Sequence, residues 1–217
     1  MLPPPAIPPA QIGPGEFFPV IGVGPHPQPW PTGEDFDPEL LELGDRRNVL
    51  DRYRYWKVAA IVADLNTKRH KLHIAIENWQ HDLNIGSIVR TANAFNVAGV
   101  HIVGKRDWNR RGAMVTDRYL TVMHHPTISD FASWAKSAHI PIVGIDNVPG
   151  STKLESATLP EECVLLFGQE GAGMSDEAIA VCPVLYAIEQ YGSTRSMNAS
   201  AAGAIAMYHW ALQHLPK

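Results

Sequence analysis

The sequence predicts an α/β fold: a mostly parallel sheet flanked by helices, carried by residues 70–217 behind a proline-rich arm. Two observations carry this. From His70 onward, short apolar runs alternate with helical segments, and parallel strands need such crossovers to cover both faces of a sheet. In contrast, 12 of the 18 prolines fall within residues 1–38, where missing amide donors and stiff backbone preclude a core.

The elements follow in order. Residues 1–45 form a proline-rich, acidic arm, partly extended, with a short helix beginning in Glu34–Asp45. Residues 46–69 form a basic helix. Over 48–66, Leu50, Tyr53, Trp56, Ala60 and Val62 or Ala63 recur at three-to-four spacing without Gly or Pro. The domain at 70–217 opens with a strand at Leu72–Ile76, a helix at Ile85–Phe95 and a strand at Val100–Val103. A helix at Ser129–Ser137, capped by Thr127 or Ser129, precedes strands at Ile140–Ile145 and Cys163–Phe167. Ser175 caps a helix at Asp176–Val181; a strand at Val184–Ile188 and an Ala-rich helix at Ala199–Leu215 complete the chain.

Composition narrows the function. The 217 residues include 18 Lys plus Arg, 22 Asp plus Glu and 45% apolar residues. Cys163 and Cys182 are too few for a disulfide scaffold or a four-ligand zinc site, and His124-His125 reads as surface or loop rather than as metal ligands. No apolar run is of membrane length, and the N-terminus lacks the basic and apolar regions of a signal peptide, so a cytoplasmic protein is expected. The net charge of −4 hides a segregation: residues 46–118 carry +8 and the remainder −12. Within the basic stretch Tyr53, Tyr55, Trp56 and Trp108 interleave with the cations. Basic groups attract phosphates and flat rings stack on unpaired bases, which makes Arg52, Arg54, Lys57, Arg110 and Arg111 candidate RNA contacts. A solvated helix face with a few core aromatics is the plainer alternative.

In parallel sheets ligands bind beyond the strand C-termini, so the loops there hold the chemistry. Asn84-Ile85-Gly86-Ser87-Ile88-Val89-Arg90 follows the first strand; Asn84 can cap a helix, and Arg90 stands in an apolar stretch where a buried guanidinium needs a partner. Phe167-Gly168-Gln169-Glu170-Gly171-Ala172-Gly173-Met174-Ser175 has the spacing of a phosphate loop, but Met174 occupies the place of the required lysine and Glu170 would repel phosphate. Gly192-Ser193-Thr194-Arg195-Ser196-Met197-Asn198-Ala199-Ser200 feeds the last helix, which Ser196, Asn198 or Ser200 can cap.

Taken together, Asn-x-Gly-x3-Arg, then Phe-Gly-x-Glu-x2-Gly-x-Ser, then Gly-x3-Ser-x-Asn-x-Ser-x-Ala resembles, in order and spacing, the three motifs of the SpoU (TrmH-like) RNA ribose methyltransferases of the SPOUT superfamily. The resemblance covers about residues 70–217. It implies a sheet whose C-terminal segment is threaded into a deep trefoil knot, S-adenosylmethionine bound in a bent shape, a homodimer with sites near the interface, no metal, and methyl transfer to a ribose 2′-hydroxyl of tRNA or rRNA. It also implies that Asn84, Arg90, Glu170, Ser196 and Asn198 are the catalytic set. Ile145, Leu166, Gly168, Ile188, Ser196 and Met197 are the implied cofactor contacts, with Ile145 walling the adenine. One departure stands in the third motif, where Glu189 follows Ile188 and the family usually has proline.

A charged arginine is a poor base, so two roles are open for Arg90: a base assisted by the substrate phosphate, or a cation that holds that phosphate and lowers the hydroxyl's pKa. Arg110-Arg111-Gly112 through His124-His125, with Arg195-Ser196-Met197-Asn198, is similar to the branch acting on the tRNA wobble ribose, so tRNA is favoured over rRNA. The rival from another class is a catalytically silent, SPOUT-fold RNA-binding paralogue, which the joint presence of the five motif residues disfavours. An ordinary nucleotide-binding enzyme lacks support without the phosphate-loop lysine.

Overall fold

A computed structural model of the chain describes residues 22–79 and 84–216; the first 21 residues of the expected arm lie outside the described residues. The chain divides into two compact units, residues 1–64 and 65–217.

In the first unit, Asp37 caps helix α1 (Pro38–Leu43), and α2 (Val58–Asn66) ends it. The helix expected over 48–66 is therefore confined to its second half, after a single 3-10 turn at Asp51–Tyr53. Competing hydrogen bonds explain the break. The Tyr55 carbonyl accepts from the Asp37 amide, and the Lys57 amide donates to the Asp35 carbonyl. The Tyr55 amide itself donates to the Asp45 carboxylate at 3.0 Å, with Tyr55 at φ +64°. Asp45 is fully buried and also takes the Arg47 amide and guanidinium. Although its burial works the other way, these donors hold its carboxyl below the usual carboxylate range. Tyr53 and Tyr55 are core residues of this unit, which removes them as base-stacking candidates.

The second unit is a seven-stranded sheet between two helical layers. In chain order its elements are β1 (His70–Asn78), α3 (Asn84–Ala94), β2 (Val97–Gly104), β3 (Val122–His125), α4 (Ile128–Ala138), β4 (Ile142–Ile145), β5 (Thr152–Lys153), β6 (Cys163–Phe167), α5 (Asp176–Ala180), β7 (Val184–Ala187) and α6 (Ala199–His214). The strand order is β3-β2-β1-β6-β4-β7-β5, and every pairing is parallel. Thr127, not Ser129, caps α4, and Ser175 caps α5. β3 contains His124 and His125, so the pair expected on a loop or surface lies in a strand, with His125 buried.

Alternation along β6 sorts the core. Cys163, Leu165 and Phe167 face the layer of α3 and α6, where Ile85, Ile88, Val89, Met207 and Trp210 pack. Val164 and Leu166 face α4 and α5, against Ile128, Phe131 and Ala178. The order reverses between β1 and β6, and the register sets Ile76, Phe167 and Ile145 abreast. Their following loops therefore leave one edge of the sheet together, at the switch point where open α/β sheets bind ligands. Among the described residues no helix is long and apolar enough to cross a membrane.

Candidate active site

Three side chains from three loops meet at this edge. Asn84, opening α3, donates from Nδ2 to Glu170 Oε2 at 2.7 Å. Asn198 donates from its Nδ2 to Asn84 Oδ1 at 2.8 Å and to Glu170 Oε2 at 3.3 Å. The Ala199 amide adds a donor to the same Glu170 oxygen at 3.1 Å. Glu170 thus lies at the N-terminus of the 16-residue α6, where free amides and the helix dipole favour an anion. Asn198 caps that helix through Oδ1, which accepts from the Ser200 and Ala201 amides.

The glycine-rich turn that carries Glu170 is closed by reciprocal Gln169–Gly173 backbone bonds, both 3.0 Å. A Cβ on Gly168 would stand 2.1 Å from the Gly173 carbonyl carbon and the Met174 nitrogen, so only glycine admits this closure. Asp146, after β4, accepts the Met174 amide at 2.6 Å, and the Asn147 side chain donates to the Arg195 carbonyl at 3.2 Å. Beneath the turn the buried Glu77 of β1 accepts from the Ser175 amide and hydroxyl and from the Trp79 indole.

These loops enclose a cavity of about 250 Å³. Ile145, Gly168, Ile188, Ser196 and Met197 line it, together with Glu170. Leu166 does not, because strand alternation turns it to the α4–α5 face; Phe167 takes the wall position instead. Arg90 is exposed in the second half of α3, has no hydrogen-bond or ion-pair partner among the described residues, and is not part of the wall. The sequence reading missed Asp146, Asn147, Gln190 and Arg195, all of which line the cavity. The available signal was polar residues immediately following β4 and β7 at the sheet edge.

Residues 71–208 match the model of the SpoU rRNA Methylase family. The chain belongs to that family. It is 27% identical over 155 residues to a tRNA (guanosine(18)-2′-O)-methyltransferase of Borreliella burgdorferi, covering 70% of this chain and 71% of that protein. Among solved structures, the SpoU fold here is similar to the A. aeolicus TrmH/SpoU tRNA modifying enzyme, with TM-score 0.63 and 21% identity over 72% of this chain and 81% of that one. It is similar also to the SpoU methyltransferase AviRb from Streptomyces viridochromogenes in complex with the cofactor AdoMet, with TM-score 0.60 and 23% identity over 69% and 60% of the two chains.

The candidate RNA contacts divide as well. Arg54 is largely shielded, donating to the Arg47 carbonyl at 2.6 Å and lying 3.5 Å from Asp51, so its guanidinium holds the first unit together. Arg52 and Lys57 are exposed, with Arg52 over the Tyr53 ring. In the second unit, Arg110 is exposed, 3.2 Å from Asp117 and stacked over Trp108, with exposed Arg111 beside it.

Proposed function

We propose that this chain is an S-adenosylmethionine-dependent RNA methyltransferase that methylates a ribose 2′-hydroxyl, with tRNA favoured over rRNA. The observation that carries the reading is the Asn84–Glu170–Asn198 cluster joined to the cavity through Glu170. The cavity residues fit the cofactor chemically. Ile145, Phe167, Ile188 and Met197 offer apolar walls to a nucleoside, Glu170 and Asp146 offer carboxylates to a cationic donor, and Arg195 offers a cation to its carboxylate. When bound, S-adenosylmethionine supplies a methyl group already activated on a sulfonium.

The chain's own task is then alignment and handling of one proton. Glu170, fixed by Asn84, Asn198 and the Ala199 amide, sets the mouth of the site. Arg90, exposed and without a partner among the described residues, is the cation that holds the phosphate next to the target ribose and lowers the pKa of its 2′-hydroxyl. The trefoil knot and the homodimer belong to this reading. Support for the dimer comes from α6, whose Ile205, Tyr208 and Leu212 are 43%, 57% and 51% exposed in one apolar stripe.

The test is transfer of label from methyl-tritiated S-adenosylmethionine to purified tRNA and rRNA, followed by mapping of the methylated ribose. Incorporation into tRNA as a 2′-O-methyl group is expected. Binding of S-adenosylhomocysteine and RNA without transfer to either substrate would favour the silent paralogue. Sedimentation should show a dimer that Tyr208→Glu dissociates.

A further inference from the structure

The segment between β2 and β3 carries an exposed apolar pair on a strained backbone. Met114 and Val115 are 59% and 54% exposed, and both stand in the left-handed region, at φ +48° and +64°. Two successive non-glycine residues there are costly, a β-branched one most of all, and such strain persists only where the surroundings impose it. Here they do. Ala113 is buried on one side of the pair, Thr116 and Tyr119 on the other, and the Thr116 hydroxyl donates to the Ala113 carbonyl at 2.7 Å. Asn78 holds the start of the segment through the Lys105 and Asp107 carbonyls. The fold therefore fixes two apolar side chains largely in water, where they contribute little to its core.

The anchors place the pair beside Arg90. A Cβ on Gly86 would stand 2.8 Å from the Ala113 nitrogen, and one on Gly112 would stand 2.8 Å from the Ser87 nitrogen. The segment thus rests directly on the first turn of α3, two residues after Asn84. At its other end the Arg69 guanidinium donates to the Tyr119 carbonyl at 2.6 Å and to the Asn96 side chain at 2.9 Å, just past the end of α3. Met114 and Val115 lie between these anchors in the segment, as Arg90 lies between them in the helix. Arg90 is one turn on from Gly86, and helical side chains lean toward the N-terminus, so its guanidinium leans over the turn on which the segment rests.

Charge selects the occupant. Within residues 105–118, Lys105, Arg106, Arg110, Arg111 and Arg118 are all exposed, against two carboxylates, Asp107 and Asp117. A second copy seated here across a two-fold axis would set these cations against one another, whereas a polyanion is drawn to them.

We propose that Met114 and Val115 pack on the face of an unpaired base of the RNA substrate, at or beside the nucleotide whose ribose is methylated. The inference rests on the reading of Arg90 as the holder of the adjacent phosphate. Paired bases hide their faces in the stack, whereas splayed bases expose apolar faces that a flexible side chain such as methionine can cover.

The experiment replaces the pair by asparagines, which take the left-handed conformation readily. Filter binding of tRNA to the full-length Met114→Asn/Val115→Asn variant is measured from 50 to 300 mM salt. Affinity should fall about tenfold at every salt concentration. The slope against log salt should not change, because an apolar contact releases no counterions. The thermal midpoint should hold or rise as the strain is relieved. Met114→Leu, which keeps an apolar side chain, should bind tRNA within about twofold of the unaltered chain. Unchanged affinity in the double variant overturns the proposal and leaves the methyltransferase reading intact. A lower midpoint would show that the pair serves the fold, and dissociation of a dimer in sedimentation would assign it to a second copy; either overturns the proposal. Failure of the unaltered chain to bind tRNA or rRNA would overturn the RNA reading with it.

Discussion

Asn84 and Asn198, 114 residues apart in the chain, share a side-chain hydrogen bond of 2.8 Å. Each also donates to the same oxygen of Glu170. The bond joins the first turn of α3 to the cap of α6, so the start of one helix orients the start of the other. Asn198 is bifunctional: its oxygen satisfies free α6 amides while its nitrogen organises the cluster.

Separating the two duties of Asn198 is therefore possible. Asn198→Ala removes both and should cost about 1 kcal/mol of stability, the usual worth of an N-cap, together with most of the methyl transfer. Asn198→Asp keeps the capping oxygen but sets a carboxylate against Glu170. Its thermal unfolding at neutral pH should stay closer to that of the unaltered chain than the alanine variant's does, while transfer falls as far. Equal activity in the aspartate and unaltered proteins would show that the amide donor is dispensable.

Arg90 makes the opposite case, since no partner among the described residues ties it to the fold. Arg90→Ala should leave thermal unfolding unchanged and lower turnover on the order of 10²-fold, as loss of a transition-state cation does. Arg90→Lys should retain measurable turnover, because an ammonium can also hold a phosphate. Complete inactivity of the lysine variant, with RNA binding preserved, would restore the arginine as base.

The sheet was legible because its strands are short, continuous apolar runs, and β6 matches Cys163–Phe167 residue for residue. β3 was not, because Val122-Met123-His124-His125 has too few apolar residues to announce an edge strand. The break before α2 was hidden because it depends on Asp45, ten residues upstream of Tyr55, drawing that amide out of the helical pattern. At the site, the resemblance of three separated motifs singled out Asn84, Glu170 and Asn198, whose side chains the fold brings together. Leu166 was misassigned because it was read as near the motif, whereas the parity of β6 decides which face a residue serves. Gln190 and Asp146 were missed because their place at the cavity follows from which strands lie side by side.

The histidines of the sheet give a prediction about acid. His73 Nδ1 is 3.1 Å from His101 Nε2, and His101 Nδ1 is 2.8 Å from His125 Nε2, with Trp134 against the central ring. Burial, then the neighbouring His73 and His125, pushes His101 down to about 2; burial also lowers His73 and His125. The folded state keeps these rings neutral while the unfolded chain takes up protons near pH 6.5, so their contribution is complete above that pH and is lost as pH falls below it, for His101 down to about 2. Unfolding free energy should decline below pH 6.5 by up to about 1.4 kcal/mol per pH unit per histidine. Urea unfolding at pH 7.5 and 5.5 checks this. His101→Phe, less stable at pH 7.5 for want of its hydrogen bonds, should lose about 1 kcal/mol less between the two conditions. An identical loss in both proteins would remove His101 from the acid response.

Arg52, Lys57, Arg110 and Arg111 remain the exposed candidates for binding phosphates, and Arg54 does not belong with them. Replacing Arg52 and Lys57 by glutamine should weaken tRNA binding and flatten the plot of log affinity against log salt, by about 0.7–0.9 for each phosphate no longer neutralised. The same change at Arg110 and Arg111 should act alike, with thermal unfolding preserved in both pairs. Arg54→Gln should instead destabilise the first unit, because the Arg47 carbonyl loses its 2.6 Å donor. Filter binding of tRNA from 50 to 300 mM salt, beside thermal unfolding, separates the two behaviours. A salt slope unchanged by both double substitutions would place the RNA elsewhere on the molecule.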